Sequence, residues 1–188
     1  MCQGWFLLFK NKLNVGFDLT TKIPVAISAC LMGDSVRYDG KHSFNQLIDT
    51  EFSEYFHFVN ICPEVEAGMT VPRPPIQVVE FDQIRQVVGR EDQSINVTQP
   101  ILMVAENRAS HFIGLCGYIF KSRSPSCGLH DVPIFNDQGD IVGHGAGLFS
   151  QRFLEMRSIP HIDEQQLIDA DQREKFFMDV KLFSQGTI

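Results

Sequence analysis

Apolar residues along this chain fall into short continuous runs separated by stretches with helical spacing. Ile23–Ser28, Phe56–Ile61 and Gly114–Lys121 are runs of the length and β-branched or aromatic content that predict buried strands. Residues 76–81, 84–88 and 159–162 are shorter strand candidates, and residues 133–135 and 141–143 flank a turn that predicts a β-hairpin. Helical spacing predicts helices over residues 45–55, 97–112, 148–157 and 171–183.

This alternation of strands and helices predicts the α/β class. We expect a single-domain, Rossmann-like open sheet over residues 22–188, mostly parallel, with helices on both faces and a small β-hairpin. Residues 1–21 are predicted to be an N-terminal extension. Their apolar start is followed by Lys10 and Lys12, with neither a basic region before it nor a small-residue cleavage site after it, so a signal peptide is not expected.

The composition of the chain limits which binding partners and which cellular compartment we expect. The net charge of −7 disfavours nucleic acid as a partner, and no apolar stretch approaches the roughly 20 residues that cross a bilayer. A small molecule is the expected partner, and no membrane association is expected. The 5 cysteines are odd in number and widely spaced, which predicts reduced thiols and a cytoplasmic protein.

Three of the cysteines occupy equivalent places, each just beyond a predicted strand. Cys30, Cys62 and Cys127 follow the first, second and third runs, and parallel strands bring their carboxyl ends to one crevice. Three thiolates could hold a [4Fe–4S] cluster with one iron open to substrate, or an open zinc site. The plainer alternative is a small buried hydrophobe, which is our interpretation of Cys116 inside the third strand.

The residues around these cysteines form four motifs that help to choose between a cluster, a zinc site and buried apolar side chains. The segments Ser28–Gly40, Cys62–Val65, Val71–Pro74 and Lys121–Gly128 resemble, in order, the motifs of the family catalogued as domain of unknown function 523, which includes thiouracil desulfidation among its activities. The resemblance extends from about Lys22 to Leu167.

The resemblance implies a [4Fe–4S] cluster bound by Cys30, Cys62 and Cys127, and non-redox desulfuration of a thiolated, thiouracil-like pyrimidine. The open iron would polarise the C=S bond, and water would replace the sulfur, which leaves as hydrosulfide. Glu64 is the expected general base or proton carrier, and Ser124 the expected hydrogen-bond partner of the pyrimidine.

Several of these residues have plainer alternative roles. Arg37, Arg73 and Ser126 are candidate substrate-binding residues, although both arginines could instead buttress the loops through ion pairs, and Ser124 could only cap a turn. Glu66 is a lesser candidate than Glu64.

Two other functions use the same three cysteines. One is a zinc-dependent hydrolase, and the other is a cluster-bearing sensor or binding module without enzymatic activity. A separate glycine-rich stretch, residues 143–147, could cradle a phosphate or form a tight turn.

Overall fold

The computed structural model describes residues 22–186 of the chain, so the predicted N-terminal extension, residues 1–21, lies outside the described residues. The strands are β1 (Ile23–Ser28), β2 (Phe56–Ile61), β3 (Ile76–Phe81), β4 (Ile84–Gly89), β5 (Tyr118–Phe120), β6 (Val132–Phe135), β7 (Ile141–Gly145) and β8 (His161–Asp163). The α-helices are α1 (Gln46–Phe52), α2 (Pro63–Glu66), α3 (Thr98–His111), α4 (Leu148–Met156) and α5 (Ala170–Ser184), with 3₁₀ helices at Ala29–Met32 and Gln166–Ile168.

The first sheet is entirely parallel, with the strand order β2-β1-β5-β8. All 6 residues of β1 pair with β2, from Ile23 opposite Phe56 to Ser28 opposite Ile61. Both sides of β1 are covered, which explains why its sequence is a continuous apolar run rather than an alternating one. The carboxyl ends of the four strands therefore meet at one edge of this sheet.

Helices cover both faces of the parallel sheet, as predicted. Val25, Ile27 and Ile119 pack in one cluster with apolar residues of α1 and α5. Ala26, whose side chain points the other way, packs in a second cluster with residues of α3 and α4. The N-cap residue Asn45 begins α1, since its side-chain oxygen accepts a hydrogen bond from the N–H of Ile48. The α/β class and the mostly parallel sheet are confirmed.

The predicted hairpin belongs to a second, mixed sheet rather than to the edge of the first. Its order is β4-β3-β6-β7, with β3 and β6 parallel and the two outer pairs antiparallel. Val78 and Ile134 face the same core cluster as α3 and α4. The second sheet therefore packs on one side of the parallel sheet.

The third predicted strand is wrong over its first four residues. Strand β5 begins at Tyr118, and Cys116, predicted inside the strand, precedes it and is half-buried. Gly117 allows the close approach of α5, because a Cβ at this position would lie 2.7 Å from the Val180 side chain. Among the described helices, none combines the length and apolar character needed to cross a membrane.

Candidate functional site

The three cysteines lie at the carboxyl edge of the parallel sheet, as their positions in the sequence predicted. Cys30 is in the 3₁₀ helix that follows β1, and Cys62 is the N-cap residue of α2 directly after β2. Cys127 lies in the loop after β5. All three line one cavity of about 350 Å³, and Cys116 does not. Residues more than 90 positions apart in the sequence therefore share one site.

The cysteine side chains are free thiols, two of them buried and the third partly buried. Cys30 and Cys127 are 9% and 5% exposed, and the S–H group of Cys62 donates to the Val36 carbonyl at 3.8 Å. Burial raises the pKa of Cys30 to about 11, raises that of Cys62, and raises that of Cys127 well above its usual range. The thiols are therefore protonated near neutral pH unless a cation replaces their protons.

This donor set fits an iron–sulfur cluster. It consists of three soft thiol sulfurs, which are the ligands that clusters use. Among residues 22–186, no three or more His, Cys, Asp or Glu side chains are grouped so that they could hold a single metal ion. The cysteines of a cluster bind different irons, so their sulfurs need not converge on one point.

Glu64 lies in the same cavity, fixed by a buried arginine and a serine. Arg73 donates from Nε and Nη2 to Glu64 Oε2 at 2.8 and 2.7 Å, and its side chain is only 3% exposed. Ser126 Oγ donates to the other carboxylate oxygen, Oε1, at 3.0 Å. Both carboxylate oxygens thus have a donor, and the orientation of the carboxylate is determined by residues from two other loops.

The remaining hydrogen bonds of Arg73 go to backbone. Nη1 donates to the Thr70 carbonyl at 3.2 Å, and Nη2 donates to the Val36 carbonyl at 2.8 Å. Of the two roles considered for Arg73, these contacts support buttressing of the loops. Arg37, the other candidate, lines the cavity and donates to Ser43 Oγ at 2.8 Å and to Asp39 at 3.3 Å.

Ser124 begins the turn that presents Cys127. Its Oγ accepts hydrogen bonds from the backbone N–H groups of Ser126 and Cys127, at 3.3 and 3.1 Å, and its carbonyl accepts one from Gly128 at 2.9 Å. These contacts are those of a serine that caps a turn. Ser124 also lines the cavity, so its own O–H group is near any molecule bound there.

The N-terminus of α4 holds this loop from the other side. The N–H groups of Gly147 and Leu148 donate to the carbonyls of Gly128 and Pro125, at 2.8 and 3.2 Å. A Cβ on Gly147 would lie 2.5 Å from the Ser126 carbonyl, so only glycine allows this approach. These two helix-start N–H groups fix the Cys127 loop, and residues 143–145 belong to β7. Residues 143–147 therefore form neither the phosphate cradle nor the tight turn that the sequence left open.

A known protein family matches most of the chain. Residues 25–165 match the family described as 2-thiouracil desulfurase. The chain belongs to this family. The matched range contains all three candidate cysteines, together with Glu64 and Ser124.

Two relatives of this 2-thiouracil desulfurase family member are informative. A solved structure of the [4Fe-4S]-dependent thiouracil desulfidase TudS is 28% identical, with a TM-score of 0.62, and the match covers 82% of this chain and 99% of that one. The uncharacterized protein YbbK of Bacillus subtilis (strain 168) is 25% identical over 118 residues, and the match covers 55% of this chain and 72% of YbbK.

A buried charged network beside the cysteines was not assigned from the sequence. Lys121 Nζ lies 2.5 Å from Glu164 Oε1, and Glu164 also accepts hydrogen bonds from the N–H and Oγ of Ser122, both at 2.7 Å. Glu164 directly follows β8, so the reasoning that found the cysteines at strand ends could have found it too. Lys121 directly follows β5 and begins one of the four family motifs.

Glu66, the lesser carboxylate candidate, points away from this site. It pairs with Arg108 of α3 at 2.6 Å and does not line the cavity. On a short helix that begins at Pro63, Glu64 and Glu66 point in different directions, which explains why only one of them meets the cysteines.

Proposed function

We propose that Cys30, Cys62 and Cys127 bind a [4Fe–4S] cluster and that the chain removes sulfur from a thiolated, thiouracil-like pyrimidine. The observation that carries this proposal is the cavity itself, where three thiols from distant segments and one fixed carboxylate line the same space. Membership of the 2-thiouracil desulfurase family supports the substrate class, and TudS supports the cofactor.

When bound, the cluster supplies a Lewis-acidic iron that withdraws electrons from the C=S bond of the substrate. In the overall reaction, water gives its oxygen to the ring carbon and the sulfur leaves as hydrosulfide, without a net change of oxidation state. Glu64 accepts a proton from the attacking water and returns it to the departing product. Arg73 and Ser126 act through Glu64, because their donors fix both of its carboxylate oxygens.

Two further side chains are assigned to the pyrimidine. Ser124 Oγ accepts two backbone hydrogen bonds, which leaves its O–H group to donate to the bound ring. Arg37 lines the cavity beside Tyr38 and is assigned to a carbonyl oxygen of the substrate. The cavity volume of about 350 Å³ lies within the range of small-molecule sites.

Anaerobic reconstitution with iron and sulfide tests this proposal. We expect brown protein that contains iron and acid-labile sulfide and that converts thiouracil to uracil with release of hydrosulfide. Serine in place of Cys30, Cys62 or Cys127 should abolish iron uptake. The matched control, Cys116→Ser, changes a half-buried cysteine outside the cavity and should leave iron uptake unchanged.

Two outcomes would contradict the proposal in different ways. Purified protein that takes up zinc and no cluster would favour a hydrolase that uses the same thiols. Protein with a full cluster that releases no hydrosulfide from several thiolated bases would favour a sensor or binding module.

A further inference from the structure

A second charged group lies at the base of the proposed cluster site. The ammonium of Lys121 contacts Glu164 Oε1 at 2.5 Å, and it also donates to the carbonyl and Oγ of Ser122 at 3.1 and 3.3 Å. These three bonds use all three N–H groups of a lysine ammonium. The position of the charge is therefore determined by the protein, not by solvent.

This ion pair is well buried. The side chains of Lys121 and Glu164 are 18% and 6% exposed. Moving two charges out of water costs free energy that their mutual attraction often fails to recover, so a buried pair is weak evidence for a purely stabilising role. A role of the Lys121–Glu164 pair in the adjacent cluster site explains its burial better than stabilisation alone.

The network is directly connected to β1, the strand that precedes Cys30. The backbone N–H of Lys121 donates to Ser28 Oγ at 2.9 Å, and Ser28 is the last residue of β1, two positions before Cys30. Lys121 lines the same cavity as Cys30, whereas Glu164 does not. The positively charged member of the pair therefore lines the cysteine cavity, and the negatively charged member does not.

The charge balance of the proposed cluster site favours a cation beside the cysteines. Three thiolates around a [4Fe–4S]²⁺ core leave one net negative charge. Arg73 already neutralises Glu64, so it is engaged elsewhere.

We propose that Lys121 is a positioning residue for the cysteine ligands: held by Glu164, its ammonium offsets the negative charge of the three thiolates and of the cluster they bind. This inference rests on the proposed function. It predicts that Lys121 and Glu164 influence the cluster with opposite signs, because one contributes a positive charge and the other a negative charge to the same site.

The test compares Lys121→Met and Glu164→Gln in anaerobically reconstituted protein, by iron release to a ferrous chelator and by the midpoint potential of the cluster. Lys121→Met should release iron about tenfold faster, and its potential should become more negative, since reduction adds negative charge. Glu164→Gln should move the potential in the positive direction. Lys121→Arg, which keeps the charge, should restore slow iron release. Lys175→Met, which removes an exposed lysine paired with Asp179, is the matched control and should change neither quantity.

Shifts of the same sign in Lys121→Met and Glu164→Gln, or no shift in either, would overturn the inference and leave the pair with a structural role. If Lys121→Met fails to fold, the direction of the Glu164→Gln shift alone decides the question. Wild-type protein that takes up no cluster would refute the proposed function, and the inference with it, whereas normal wild-type uptake with unchanged variants would refute the inference alone.

Discussion

The fixed carboxylate of Glu64 leads to a quantitative prediction about Arg73. Replacing Arg73 with methionine keeps much of the side-chain length but removes a guanidinium that makes two bonds to Glu64 and two to backbone carbonyls. The two side chains are only 3% and 13% exposed, so Glu64 would be left as an uncompensated, largely buried charge. We expect the free energy of unfolding to fall by about 3–5 kcal/mol.

Arg152 offers a matched control for this variant. It also donates from two nitrogens to one carboxylate oxygen, on Glu106 at 3.0 and 2.8 Å, but the side chains of this pair are 38% and 46% exposed. Water can solvate Glu106 once Arg152 is gone, so Arg152→Met should cost less than about 1 kcal/mol. The two variants therefore differ in burial while sharing the geometry of the ion pair.

Equilibrium unfolding of the metal-free protein in urea measures both losses, because urea is uncharged and does not screen ion pairs. Equal losses in Arg73→Met and Arg152→Met would refute the reasoning from burial. Adding Glu64→Gln to Arg73→Met provides a second check. The cost of the double variant should be smaller than the sum of the single costs by at least about 1 kcal/mol, because glutamine leaves no buried charge behind. Additive costs would show that the two side chains are not coupled.

Three other predictions follow from the site. Glu64→Gln should keep the wild-type iron content but lower the rate of hydrosulfide release about 100-fold or more; an unchanged rate would remove Glu64 from the mechanism. Gly128→Ala would place a Cβ 2.3 Å from the Val132 side chain, and we expect it to cost about 1–3 kcal/mol in urea unfolding. Gly143→Ala, with no atom within 4 Å of its Cβ, should cost less than about 1 kcal/mol, and equal costs would contradict the packing argument. In metal-free protein, the thiol of Cys30 stays protonated to about pH 11 in the folded state but ionises near its usual pKa of 9.0 when unfolded. Stability should therefore fall as the pH rises from 9.0 towards about 11, by about 1 kcal/mol per pH unit, and this fall should be smaller in Cys30→Ser.

The sequence predicted the placement of the cysteines because that placement depends on local features. Each cysteine comes after a short run of apolar residues, and parallel strands bring their carboxyl ends to one edge of the sheet. Only the final position of Cys127 also depends on its loop, which the Ser124 turn and α4 hold. The helix predicted over residues 97–112 is confirmed at Thr98–His111 for a similar reason, since its apolar positions repeat with helical spacing. Patterns of this kind are visible within a window of about 15 residues.

Features that depend on long-range contacts could not be predicted from such local sequence patterns. The second sheet requires β6 to pair with β3, more than 50 residues earlier, and nothing in either strand specifies that partner. The same holds for Arg73, whose contact with Glu64 depends on the path of the proline-rich loop between them. Glu164 follows a strand that the sequence did predict, but its pairing with Lys121, 43 residues earlier, is another long-range contact.

The contacts around the three ligand loops also suggest how the site is formed. Ser43 donates its N–H to the Cys30 carbonyl at 2.8 Å, the N–H of Glu66 donates to the Cys62 carbonyl at 3.0 Å, and the Cys127 loop is held by α4. None of these bonds involves a sulfur atom. We therefore expect folding to order the loops without a metal, in contrast to small zinc domains in which the ligands are disordered until metal binds. A serine at any one cysteine removes a ligand but none of these backbone contacts. Loss of iron in such a variant would consequently report on ligation rather than on unfolding.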